Sequence, residues 1–121
     1  MRQLYIQIIM ESIEYYDEMA QTHLRRSPKH VLLLHEMDLS VLFIGDLVDA
    51  LRDKGWTIIS PADAYHDEIS QYQAERLLRY NPGRMGGGIA LNKGQEKGLW
   101  HHTLDEAYLG KRFKDVVLQP K

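Results

Sequence analysis

The chain has 121 residues, no cysteine and a formal net charge of -2, with 44% hydrophobic and 26% charged residues. That length suits a fold of about 100–150 residues with one modest core, and the composition is that of a globular protein. The cysteine count excludes disulfides, thiol nucleophiles and zinc–thiolate sites, and the charge balance gives no pull toward nucleic acid or anionic lipid.

From Leu4 to Leu24, apolar residues fall at Tyr5, Ile9, Ile13, Tyr16, Met19, Ala20 and Leu24. That spacing predicts one long amphipathic helix, with Glu11, Glu14, Asp17 and Glu18 mostly on the other side. The same acids interrupt the apolar run, and no small-residue cleavage site follows, so the segment does not read as a signal peptide. No stretch reaches the ~20 apolar residues of a membrane span. As it stands, the chain is expected in the cytoplasm, away from membranes. Arg25 and Arg26 suit the negative end of the helix dipole, and Ser27-Pro28 closes the helix.

Val31 to Leu34 form an unbroken apolar run between His30 and His35. A short run without alternation predicts a strand covered on both faces, as in a parallel sheet. Asp38 or Ser40 is the expected cap of a second helix, which turns Leu42, Phe43, Leu47, Val48 and Leu51 inward. Lys54-Gly55 is its stop, since glycine adopts the left-handed conformation without strain. Trp56 to Ile59 then predict a second strand, with Trp56 buried, and Ser60-Pro61 a short helix through Tyr65. Strand, helix and strand with short connections read as a right-handed βαβ unit, so the expected fold class is α/β.

Beyond Asp67 the pattern weakens. Ile69–Tyr80 and Leu104–Phe113 are helix candidates, Ile89–Lys93 a shorter one. Gly86-Gly87-Gly88 reads as flexible loop: it follows no strand, and no lysine–serine or lysine–threonine pair comes after it, so a phosphate loop is not indicated. Two regions are therefore expected, 1–67 holding the βαβ unit and 68–121 a helical and irregular extension.

The segment His30–Asp67, HVLLLHEMDLSVLFIGDLVDALRDKGWTIISPADAYHD, resembles the end of the NodB-homology polysaccharide deacetylase domain. Leu33-Leu34-His35 looks like that family's last catalytic motif. The following helix, its Lys-Gly stop, Trp56 and Ser60-Pro61 match the usual run to the end of the domain. Gly83-Arg84 and Asp105-Glu106-Ala107-Tyr108 look like extensions in one branch of the family. The likeness covers nearly all of this chain but only about the last third of the family's domain.

The resemblance implies part of a (β/α) barrel that removes acetyl groups from carbohydrate polymers with a divalent metal such as zinc. It makes His35 the general acid and Leu33 part of the acetyl pocket. The rest of the site is missing. There is no Asp-Asp pair, no two histidines stand four apart, and no aspartate precedes a tryptophan. Arg26-Ser27-Pro28 imitates an arginine-x-proline motif but lacks its aromatic and precedes the wrong strand. Met37 stands where the family would carry a polar residue. No metal is therefore expected in this chain.

An acid without metal, base or orienting carboxylate contributes little, because such groups act as a unit. Adjacent His101 and His102 diverge on regular structure and make a poor ligand pair. Trp100, near Gly98, is the candidate for stacking on a sugar. Two readings follow: the C-terminal portion of a deacetylase-like hydrolase, inactive in isolation, or a non-catalytic, oligomeric or carbohydrate-binding α/β module. In both, the uncovered apolar edges of so small a sheet favour a homo-oligomer, and an acetylated polysaccharide is the expected ligand.

Overall fold

A computed structural model describes residues 1–119, and among them there is helix and irregular chain but no strand. The expected α/β class and its parallel βαβ unit are thus overturned. Helix α1 spans Arg2–Leu24, α2 Asp38–Asp53, α3 Pro61–Ala64 and α4 Glu106–Val117. A π-helix runs from Arg84 to Ala90, and single 3-10 turns cover Glu68–Gln71 and His102–Leu104.

Helices α1, α2 and α3 form close to where spacing and stops placed them, and α4 begins two residues after the expected Leu104 and runs four past Phe113. Gly55 ends α2 at φ +88°, and its amide reaches the Arg52 carbonyl at 2.9 Å. Ser60 caps α3 by accepting from the Asp63 amide at 3.1 Å, with proline at the first position. At α2 the expected caps differ. The capping residue is Met37, with no side-chain bond, while Asp38 sits in the first turn, where its charge meets the positive end of the dipole. Ser40 instead meets the Tyr5 hydroxyl at 3.3 Å.

The two expected strands fail for want of cover. Val31, Leu32 and Leu33 are exposed, Leu33 to 84%, and so are Ile58 and Ile59. A double-faced apolar run needs a ladder partner and two covering layers, and the described residues supply neither. Trp56 is only half-buried.

By contact the residues fall into two compact units. One takes Met1–Ser12, Leu32–Ile58 and the chain from His102 on; the other takes Ile13–Val31 and Ile59–His101. In the first, Leu47 is fully buried, with Leu4, Tyr5, Met10 and Leu51 also inside. Tyr5 and Phe43 pack ring to ring at 5.9 Å, and Arg112 binds both oxygens of Glu11, the longer contact at 2.6 Å.

The second unit has its own core: Met19, Ala20, Met85, Ile89, Ala90, Leu91 and Leu99, with Tyr15, Tyr16, Tyr72 and Leu78 packed against it. The glycine triplet, expected as loop, lies buried inside the π-helix at its centre. A Cβ on Gly86 would stand 2.5 Å from the Leu99 carbonyl oxygen and 3.1 Å from Pro82 Cβ. A Cβ on Gly87 would stand 3.0 Å from Pro82 Cδ, so close packing calls for glycine at 86 and 87, whereas at Gly88 the nearest contact, Tyr72 at 3.8 Å, is an ordinary one.

Ile69–Tyr80 forms only the turn Glu68–Gln71 before continuing irregularly. Side chains from elsewhere take its backbone groups. Arg84 Nη1 donates to the carbonyls of Ser70, at 2.9 Å, and Tyr72. Asn92 donates to the Gln73 carbonyl at 3.0 Å and accepts from the Glu75 amide at 3.1 Å. Backbone held sideways in this way is not free to close helical turns.

Candidate functional site

His35 and Leu33 lie in the first unit, on the irregular segment that leads into α2. His35 is exposed, and no described residue bonds it. Leu33, assigned by resemblance to an acetyl pocket, faces solvent over most of its surface. Trp100 belongs to the second unit and is 40% exposed. Among the described residues no group of three or more histidine, aspartate or glutamate side chains could hold a metal ion.

The second unit carries the denser polar chemistry. Asp17, on α1, accepts from the Ser27 hydroxyl, and His30 Nε2 meets the same oxygen at 2.9 Å. Partial burial pushes the Asp17 carboxyl up, but the bonds from Ser27 and His30 outweigh it and leave the group below its ordinary value. Serine, histidine and aspartate meet here without forming a nucleophilic triad. The serine donates directly to the carboxylate, so the imidazole does not stand between them as a base.

Asp67 makes a second clasp. Its two oxygens receive Arg26 at 2.6 and 2.8 Å and the amides of Lys29 and Ile69 at 2.9 and 3.0 Å. The Arg26 guanidinium holds this carboxyl well below the usual range against the opposing effect of burial, and the two amides add to it. Tyr16 shows the reverse balance. Burial raises its hydroxyl above the ordinary value although the His101 amide donates to it.

Between residues 70–78 and 81–88 the same unit opens a groove of about 540 Å³. Its outer wall is the chain that Arg84 and Asn92 hold in place. Gly87 and Gly88 line its floor, and the Tyr72 ring would stand 3.8 Å from a Cβ on Gly88. Arg76 and Arg84 contribute to the lining, which contains no aspartate or glutamate. Sequence pattern singled out none of these groove residues as a site. The available signal was an arginine following Pro82-Gly83, with Asn92 eight residues on.

No family model, curated protein or solved structure matches the chain. No helix among the described residues is long and apolar enough to cross a membrane.

Proposed function

We propose that this chain is the C-terminal portion, or a remnant, of a polysaccharide-deacetylase-like hydrolase and releases no acetate by itself. The observation that carries the reading is the run from His30 to Asp67. There an apolar stretch ends on His35 and is followed by a helix, a Lys-Gly stop and Ser60-Pro61. The uncovered side chains of Val31, Leu32, Leu33, Ile58 and Ile59 support a chain whose apolar surface is meant for something beyond these residues. The family's metal ligands and base have no counterparts in the sequence, so His35 acts on no activated water here.

Zinc content measured beside acetate release from a chitin oligomer tests the proposal. The expected result is no acetate with or without added zinc; stoichiometric zinc with turnover would overturn it.

The same exposed apolar residues favour a second reading, a non-catalytic module that self-associates or binds acetylated polysaccharide. Sedimentation should then show a dimer or larger species. A clean monomer at high concentration counts against association, and unchanged Trp100 fluorescence on adding an N-acetylglucosamine oligomer counts against stacking there.

A further inference from the structure

The groove of the second unit carries an inference independent of deacetylase descent. At about 540 Å³ it falls within the size range of small-molecule sites. Its lining includes two arginines and no carboxylate, in a chain whose net charge is negative. A guanidinium offers five donors. Arg84 uses only Nη1 on protein carbonyls, which fixes the group while leaving its other donors without an acceptor among the described residues. Arg76 meets Glu96 at 3.2 Å with both side chains mostly exposed, a contact that a competing anion displaces at little cost. Tyr72, Leu78 and Pro82 give the groove an apolar side. The wall is already ordered by Arg84 and Asn92, so occupation requires little loop ordering.

We propose that this groove binds a small organic phosphate, the oxyanion taken by Arg84 and Arg76 and the body of the molecule laid against Tyr72 and Leu78. Arginine suits the task because its planar fork matches the oxygens of phosphate.

The experiment is a two-dimensional amide NMR titration of the full chain with glucose 6-phosphate, inorganic phosphate and glucose. Saturable shifts confined to residues 70–78 and 81–88 are expected with glucose 6-phosphate. Weaker shifts in the same place are expected with inorganic phosphate, and none with glucose. Arg76→Gln, an exposed position, should raise the Kd about tenfold while leaving the melting temperature unchanged. Arg84→Lys keeps the charge and should weaken binding as well. The proposal fails if no shifts saturate, if they spread over both units, if glucose alone gives them, or if Arg76→Gln leaves the Kd unchanged.

Discussion

Asp67 and Arg26 are joined by two hydrogen bonds, one to each carboxylate oxygen, across 41 positions of sequence. The carboxylate side chain is 7% exposed, and it also caps the turn that begins at Glu68. It therefore fixes the chain leaving α1 to the chain leaving α3.

Asp67→Ala should destabilise the protein by about 1–2 kcal/mol, the cost of a lost cap with its partners left unpaired. Arg26→Ala should cost less, because the Lys29 and Ile69 amides keep their acceptor. Urea unfolding of the two variants checks the order. Equal midpoints would mean that the backbone bonds contribute nothing.

Acid should weaken the fold through the same group. The folded carboxyl titrates below its unfolded value, near 3.9, so its stabilisation is present above that value and lost as pH falls toward the folded one. Asp17 acts in the same direction. Melting temperature should fall as pH drops from 5 to 3, and less steeply in Asp67→Ala than in the parent.

Tyr16 should contribute to the loss of stability in alkali. Its folded hydroxyl titrates above the ordinary value of 10.0, so its contribution is complete below that pH and is lost as pH rises through the folded value. Tyr16→Phe should flatten the decline above pH 10. An unchanged alkaline slope would assign that loss to other groups.

Glycines of opposite kinds make a paired test. Nothing lies within 4 Å of a Cβ on Gly45, inside α2, so Gly45→Ala should stabilise by about 0.5–1 kcal/mol. Gly86→Ala forces a methyl against the Leu99 carbonyl oxygen and should cost about 1–3 kcal/mol. Thermal melts of the two variants should therefore move in opposite directions.

The helices and their stops were legible in the sequence because they are local. The spacing from Tyr5 to Leu24, the glycine after Lys54 and the serine before Pro61 each act within a few residues. The two strands were not, because a run such as Val31–Leu34 reports what it would bury and not whether a neighbour exists to bury it. The glycine triplet misled for a related reason. Its conformational freedom is visible in sequence, whereas the nearness of Leu99 and Pro82 is set by the fold. His35, exposed in the first unit, could be singled out from its place after an apolar run. The groove could not, since Arg84 and Asn92 matter through the carbonyls of residues far from them in the chain.

The uncovered leucines and isoleucines have a meaning for the life of the protein in a cell. Exposed irregular chain carrying large apolar side chains is what holdase chaperones and degradative proteases capture. The steady-state amount of this chain would then follow its rate of capture as much as its folding free energy. Its abundance becomes a measure of whether something shields Val31 to Leu33 from quality control.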